Sequence, residues 1–123
     1  MTVVDMDAGL EHLKRGTAQY VDVMLITVEP YYKSLETANR IRALAEELGI
    51  KRVLTVANKI RNPVESQAVE EFCSRHNLNL IASIPYDEAF MEAEKLCISP
   101  VDYNPNAKGV AEMAKLVEVL QKI

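Results

Sequence analysis

An acid and a glycine spaced four residues apart follow a short apolar run in this sequence. Asp5 and Gly9 come directly after Thr2-Val3-Val4. A carboxylate at the carboxyl end of a buried strand can hold Mg²⁺ through a water molecule. A glycine N–H nearby can approach a terminal phosphate, because the residue has no Cβ to keep the backbone away. The spacing predicts a phosphate-sensing corner in which Asp5 and Gly9 are the catalytic groups and Asp5 orients Mg²⁺.

Polar residues also follow two later apolar runs. Asn58-Lys59 comes after one run, and Pro85-Tyr86-Asp87 ends another. Ligands of open α/β sheets gather outside the carboxyl ends of the strands. An asparagine amide offers a donor and an acceptor together, as the paired edge of adenine requires. Two simpler interpretations stay open: Asn58 closes its own loop, and Asp87 only caps the helix that follows.

Two further segments could contact a partner. The charged stretch after Gly9 contains Glu11, His12 and Arg15, which are well placed to report the nucleotide state. His12 could be a ligand or a proton carrier, although a lone histidine on a solvated helix is the simpler interpretation. Tyr31-Tyr32 could form a contact surface or be half-buried packing. Ser34 is a candidate cap for the next helix.

The elements that must position these residues alternate along the chain. Continuous apolar runs are typical of parallel strands that are buried on both faces, and helical patterns between them indicate right-handed βαβ units. The sequence therefore predicts one α/β domain over residues 1–123. The first run is short for a buried strand, so we expect a partner segment, a partner chain or a truncated reading frame. The predicted strands are Thr2–Val4, Val23–Val28, Val53–Ala57 and Leu80–Ile84, and the predicted helices are Glu11–Gln19, Ser34–Leu48, a helix from Pro63, Asp87–Leu96 and Ala107–Gln121. Gly49 is the predicted stop of the helix Ser34–Leu48. The residues predicted to face the core are Val64, Ala68, Val69, Phe72 and Cys73 in the helix from Pro63, and Val110, Met113, Ala114, Val117 and Leu120 in the last helix.

Composition narrows the functional classes. The chain has 123 residues, is 49% hydrophobic and carries a formal charge of −4, with 14 basic and 18 acidic residues. No basic block indicates a nucleic-acid partner, and no apolar stretch approaches a membrane span. Cys73 and Cys97 are predicted to be reduced thiols of a cytoplasmic protein. Two isolated cysteines and two scattered histidines cannot assemble a metal site within one chain.

The order of these motifs resembles the switch II region and following half of CooC-type ATPases, which are P-loop proteins related to MinD and ParA. The match begins at Val4–His12 with Arg15-Gly16-Thr17 and continues through Glu29-Pro30, Asn58-Lys59 and Ile84–Asp87. It covers essentially the whole chain but only the carboxyl-terminal half of such a protein. The resemblance implies a partial P-loop NTPase fold (SIMIBI class, MinD-like), with three layers, a mostly parallel sheet of four strands and about five helices.

The resemblance also implies roles for individual residues. Asp5 matches the Walker B acid that orients Mg²⁺, and Gly9 matches the switch II glycine. Asn58 with Lys59 matches the adenine-reading motif, and Pro85, Tyr86 and Asp87 match the loop that lines the base. The implied cofactor is Mg-ATP, and the implied function is nickel insertion into carbon monoxide dehydrogenase. Residues expected near a dimer interface are Glu11, His12 and Arg15.

Parts of the family pattern have no match in these residues. The Gly- and Lys-rich phosphate loop, the switch I acid and the Cys-x-Cys pair are absent from the sequence. Triphosphate affinity depends on such a cradle of backbone N–H groups, so we do not expect this chain to hydrolyse ATP alone. A separate P-loop segment or chain, or a homo-oligomer, is the expected partner. Alternative functions are a MinD/ParA-type positioning ATPase, an iron–sulfur carrier, or a non-enzymatic partner-binding domain.

Overall fold

The computed structural model of the chain describes residues 1–5 and 21–123. Strands and helices alternate through most of the described chain, and the strands form one sheet in the order β1-β2-β3. Both strand pairs are parallel, as the βαβ pattern predicts. The elements are β1 (Met24–Val28), α1 (Tyr32–Glu47), β2 (Val53–Ile60), α2 (Pro63–Arg75), β3 (Leu80–Pro85), α3 (Glu88–Lys95), α4 (Pro100–Tyr103) and α5 (Lys108–Gln121).

Helices cover both faces of the sheet and give it three layers. On one face α1 and α2 pack against β1 and β2, and the core there includes Ile26, Val28, Ala38 and Val69. On the other face α5 packs against β3, and the core there consists of Val56, Ile84 and Leu116. The predicted three-layer α/β architecture is therefore confirmed for the described residues.

Local sequence signals account for most helix boundaries. Asn62 caps α2 by accepting a hydrogen bond from the N–H of Glu65, and Pro63 occupies the first helical position, where its missing N–H costs little. Gly49 follows the end of α1 with φ of 82°, which confirms it as the predicted stop, because glycine adopts this conformation without a Cβ clash. The short helix α4 was not predicted, although Ser99 caps it and Pro100 begins it.

One predicted strand is wrong. Thr2–Val4 is not a strand, and Val3 and Val4 are 79% and 73% exposed. Three residues offer few ladder hydrogen bonds, and no described strand lies beside them to supply a partner. The described sheet consequently has three strands where four were predicted. The predicted helix Glu11–Gln19 lies outside the described residues.

Several positions predicted to face the core are exposed instead. In α2, Val69 and Cys73 are buried as predicted, but Val64 is 77% exposed at the first turn. In α5 the buried position is Leu116 rather than its neighbour Val117. The helical period was predicted correctly, but not every apolar residue of these helices is buried. Only three described strands lie beneath the helices, so the sheet covers only part of each apolar face. The positions wrongly predicted as buried are Val64, Ala68, Met113, Ala114 and Val117.

Thr55 in β2 provides a test of the core. Its side chain is fully buried, and its hydroxyl has no hydrogen-bond partner among the described residues. An unpaired buried hydroxyl costs about 1–3 kcal/mol, so Thr55→Val is expected to raise the free energy of unfolding by about 1 kcal/mol in urea denaturation. The control is Thr37→Val, because the exposed Thr37 hydroxyl donates to the Lys33 carbonyl. A Thr55→Val variant less stable than the parent would show that this hydroxyl is satisfied in solution.

Candidate functional site

The carboxyl ends of the three parallel strands meet at one edge of the sheet. β1, β2 and β3 end at Val28, Ile60 and Pro85. Parallel alignment places the polar residues that end or follow these strands along the same edge. They are Glu29, Asn58, Lys59, Arg61, Tyr86 and Asp87.

A bulge in β2 distinguishes this edge. Ala57 pairs with Ser83 and Ile60 pairs with Pro85, so Asn58 and Lys59 together oppose the single residue between those partners. Lys59 has φ of 57°, a left-handed conformation that is unfavourable for a residue with a Cβ. Bulges of this kind re-aim side chains and are frequent next to binding sites. The strand thus continues past the predicted end at Ala57.

The Asn58 side chain is half-buried at this bulge. Among residues 1–5 and 21–123, its amide takes part in no hydrogen bond that would tie it to its own loop. The first hydrogen bonds after it belong to Arg61, whose N–H donates to Glu65, and to the Asn62 cap. The structure therefore gives no support to the simpler interpretation that Asn58 only closes its loop.

An ion pair joins the ends of β1 and β2. Lys59 Nζ lies 2.9 Å from Glu29 Oε1, and the Tyr31 hydroxyl donates to Glu29 Oε2 at 2.8 Å. The hydrogen bond from Lys59, followed by that from Tyr31, lowers the pKa of the Glu29 carboxyl. The same contact with Glu29 raises the pKa of Lys59. Sequence reasoning missed this pair, although both residues come at the ends of neighbouring parallel strands.

Ser34 stabilises the same loop but does not cap the next helix. The N–H of Glu29 donates to Ser34 Oγ at 2.9 Å, whereas α1 begins after Tyr31 without any side-chain cap. The predicted capping role of Ser34 is therefore wrong, because α1 begins two residues earlier than predicted. Tyr31 and Tyr32 are 53% and 73% exposed, so the interpretation that they are half-buried packing is also wrong. Of the two interpretations, a contact surface is the one left.

The strain at Lys59 can be tested by substitution. Glycine adopts a left-handed φ without a steric cost, so Lys59→Gly is expected to melt higher than Lys59→Ala by about 4 °C in thermal unfolding. Both variants lose the ion pair with Glu29, so the difference between their melting temperatures reports only the backbone strain at position 59. Equal melting temperatures would show that Lys59 does not adopt the left-handed conformation in solution.

Tyr86 and Asp87 follow β3 and differ in their surroundings. The Arg61 guanidinium carbon lies 5.5 Å from the centroid of the Tyr86 ring, which is 39% exposed. Asp87 accepts hydrogen bonds from the N–H groups of Ala89 and Gly109, both at 2.9 Å. The predicted cap of α3 is confirmed, and the same carboxylate also binds the first turn of α5. Those two backbone hydrogen bonds, that from Gly109 first, lower the pKa of Asp87.

A cleft opens between the ends of β2 and β3 and the beginning of α5. Its volume is about 420 Å³. Its lining combines apolar side chains with one serine, one lysine and one glutamate, and Pro85 is the one predicted site residue among them. The lining residues are Ile60, Ser83, Pro85, Lys108, Ala111 and Glu112.

The remaining predicted site residues are Asp5, which the structure describes, and four residues that it does not describe. Asp5 is exposed and lies in a segment without regular structure. Gly9, Glu11, His12 and Arg15 lie outside the described residues. Residues 1–5 and 21–123 contain no group of three or more His, Cys, Asp or Glu side chains that could hold a metal ion.

Two other sequence expectations can be checked in the described ranges. Cys73 is buried and Cys97 is exposed, and neither forms a disulfide. Burial raises the pKa of the Cys73 thiol. None of the helices described here is both long enough and apolar enough to cross a membrane.

Comparison with known proteins identifies relatives of this chain. The chain is 38% identical over 118 residues to the carbon monoxide dehydrogenase accessory protein CooC of Rhodospirillum rubrum, across 94% of this chain and 44% of that protein. It is 36% identical over 123 residues to an uncharacterised ATP-binding protein of Methanocaldococcus jannaschii, across 100% of this chain and 47% of the relative. No protein-family model matches the chain.

Solved structures agree with the fold. MinD of Aquifex aeolicus superposes with a TM-score of 0.71 at 20% identity, covering 83% of this chain and 44% of that one. The cell division ATPase MinD of Pyrococcus furiosus superposes with a TM-score of 0.68 at 25% identity, covering 82% and 43%. The predicted resemblance to CooC-type, MinD/ParA-related P-loop ATPases is confirmed. The chain spans about half the length of these CooC-type and MinD-type relatives.

Proposed function

We propose that this chain forms the nucleotide-sensing half of an ATP-dependent metallochaperone that inserts nickel into carbon monoxide dehydrogenase. The observation that carries the proposal is the bulge at Asn58-Lys59, next to the Pro85-Tyr86 end of β3. The amide of Asn58 is half-buried and can both donate to and accept from a purine edge. The names of the similar proteins, a carbon monoxide dehydrogenase accessory protein and an ATP-binding protein, support nucleotide binding and a link to carbon monoxide dehydrogenase.

The described residues fit the base of a nucleotide better than its phosphates. The cleft beside Pro85 offers apolar walls for a ring, with Lys108 at its border. The described glycines, Gly49 and Gly109, lie at helix ends rather than in a phosphate-binding loop. Asp5 is the one proposed magnesium-orienting group within the described residues. When bound, Mg-ATP would supply the energy for the proposed metal insertion, whereas the residues of this chain would hold the adenine base.

Lys59 and Arg61 contribute to the electrostatics of the proposed base site. The Lys59 ammonium is held by Glu29, so its charge is partly neutralised at the edge of the sheet. The Arg61 guanidinium lies against the Tyr86 ring. A planar cation stacked on an aromatic ring offers a platform on which a second flat group can stack. We propose that Tyr86 and Arg61 orient the base whose edge Asn58 reads.

Calorimetry with Mg-ATP tests the base site. Asn58→Ala is expected to weaken binding by about 5- to 150-fold, because the loss of a paired hydrogen-bonding edge costs about 1–3 kcal/mol. The matched control is Asn79→Ala, which removes an exposed amide just before β3, at the opposite edge of the sheet. Asn79→Ala is expected to bind like the parent.

Two outcomes would contradict the base site. One is the absence of binding by the folded chain, both alone and together with the half of the R. rubrum relative outside the match. The other is equal binding by Asn58→Ala and the parent.

The nickel role is tested separately, by adding the chain to nickel-free carbon monoxide dehydrogenase with Ni²⁺ and Mg-ATP. If the enzyme is activated no faster with the chain than without it, the result argues against that role.

A further inference from the structure

Glu29, at the carboxyl end of β1, is held by three other residues. Its backbone N–H donates to Ser34 Oγ at 2.9 Å, which joins the loop to α1. Its carboxylate accepts a hydrogen bond from the Tyr31 hydroxyl at 2.8 Å and lies 2.9 Å from Lys59 Nζ. The Glu29 side chain is 28% exposed, whereas that of Lys59 is 59% exposed. Glu29 is therefore the fixed member of the ion pair, and Lys59 is the member that it restrains.

The restrained lysine belongs to the bulge of β2. Val28, the last residue of β1, pairs with Ala57. Glu29 and Asn58 are the next residues of these two neighbouring strands, and Lys59 follows Asn58. The ion pair therefore connects the end of β1 to the position at which the β2 backbone becomes left-handed, with φ of 57°.

The direction of the Asn58 amide depends on this bulge. Among the described residues that amide takes part in no hydrogen bond, so the backbone that carries it determines where it points. Pairing with β3 fixes the bulge at Ala57 and at Ile60, on either side of it. Between those two positions, the Lys59 side chain is tied to Glu29. Without that contact, two consecutive residues would be free to change conformation between fixed points.

The energetic balance at Lys59 is close. A left-handed backbone is unfavourable for a residue with a Cβ, and this strain is of the same order as the stabilisation that an exposed ion pair provides. Removal of the Glu29 charge is therefore large enough to shift the bulge toward conformations in which the Asn58 amide points elsewhere. It is too small to unfold the sheet, which β2 and β3 hold by backbone pairing on both sides of the bulge.

We propose that Glu29 is a positioning residue for base recognition: by holding Lys59, it keeps the β2 bulge in the conformation that presents the Asn58 amide to an adenine edge. This inference rests on the proposed base site and adds to it a residue that does not touch the base. A protein in which only a fraction of the molecules is competent binds more weakly by that fraction. Glu29 thus contributes to affinity by keeping that fraction high.

NMR of the chain without ligand provides the first test. Glu29→Gln removes the charge and keeps the shape of the side chain. It is expected to shift the side-chain amide signals of Asn58 and to move the backbone carbon shifts of Lys59 away from left-handed values. Glu36→Gln is the matched control, because it breaks the exposed ion pair of Glu36 with Arg40 within α1. Asn58 and Lys59 signals that Glu29→Gln leaves unchanged would overturn the proposal.

Titration with adenosine provides the second test. Adenosine carries the base without phosphates, so the loss of an acidic side chain does not by itself attract the ligand. Glu29→Gln is expected to bind adenosine about fivefold more weakly than the parent does, the factor that corresponds to full loss of an exposed ion pair. Glu36→Gln is expected to bind like the parent. Binding that Glu29→Gln leaves unchanged would overturn the positioning role alone, whereas no binding by the parent would overturn the base site as well.

A double-mutant cycle shows whether Glu29 acts through Lys59. Lys59→Met removes the ammonium group and keeps the Cβ that makes the left-handed backbone unfavourable. If the effect passes through the ion pair, Glu29→Gln has no further effect on adenosine affinity in the Lys59→Met background. Losses of affinity that simply add would overturn the proposal. Glu29→Gln and Glu36→Gln are expected to melt at similar temperatures, because each loses one exposed ion pair, so a difference in their adenosine affinity reports the base site rather than stability.

Discussion

Replacing Asp87 by alanine is expected to lower the free energy of unfolding by about 2–4 kcal/mol. The carboxylate accepts one hydrogen bond from the first turn of α3 and another from the first turn of α5. Each helix cap contributes about 1 kcal/mol, and hydrogen bonds to charged groups contribute somewhat more. The substitution leaves both N–H groups without their acceptor. Urea denaturation followed by circular dichroism measures the change.

The same carboxylate predicts a pH dependence. The pKa of Asp87 is lowered from its ordinary value of 3.8 by the hydrogen bonds from Gly109 and Ala89. The folded state therefore binds this proton less tightly than the unfolded state does. Its contribution to stability is fully present above the unfolded pKa and is lost as the pH falls through the folded pKa. Below about pH 4 the stability difference between the parent and Asp87→Asn is expected to shrink.

Asp22→Ala is the control for both measurements. Asp22 is an exposed aspartate before β1, and its side chain caps no described helix. It is expected to change the free energy of unfolding by less than about 0.5 kcal/mol. If Asp22→Ala loses as much stability as Asp87→Ala does, the effect results from net charge rather than from the two helix caps.

Gly109→Val is expected to destabilise the fold by about 2–3 kcal/mol. A Cβ at this position would lie 2.6 Å from Cζ of the Phe90 ring, well inside van der Waals contact. Gly109 is buried at the start of α5, and Phe90 belongs to α3, so either the Phe90 ring would have to move or the two helices would have to shift apart. Forcing extra atoms into a packed contact typically costs about 1–3 kcal/mol. Thermal and urea unfolding both measure the loss.

A double variant identifies the cause. Phe90→Leu shortens the opposing side chain, so Gly109→Val with Phe90→Leu is expected to be more stable than the sum of the single changes predicts. Ala111→Val, at an exposed position of the same helix, controls for the helix propensity of valine. Strict additivity of the two changes would contradict the proposed clash.

The sequence predicted the order of elements well because the apolar runs are separated by clear helix signals. Asn62 and Pro63 begin α2 and Asp87 begins α3, where local chemistry alone decides the boundary. The end of β2 was predicted too early. Asn58 and Lys59 have low strand propensity, and the bulge that holds them in the strand depends on pairing with β3.

Burial and long-range contacts could not be predicted in the same way. The apolar stripe of α5 contains both Leu116 and Val117, but its covered part depends on the width of the sheet beneath it. The second hydrogen bond of Asp87 joins positions 22 residues apart in the chain. The pair of Glu29 and Lys59 likewise depends on strand order, which local patterns do not determine.

The parallel register also constrains how the chain reaches its native state. Met24 pairs with Val53, and Thr55 pairs with Leu80, so each strand pair joins residues that are separated by a complete helix. No hairpin can form first and act as a nucleus, because the described sheet has no antiparallel pair. Loop-closure entropy is lost before the strand contacts form, which makes such sheets slow to fold. We therefore expect α1 and α2 to acquire helical structure before the sheet does, and refolding yield to decrease as protein concentration rises.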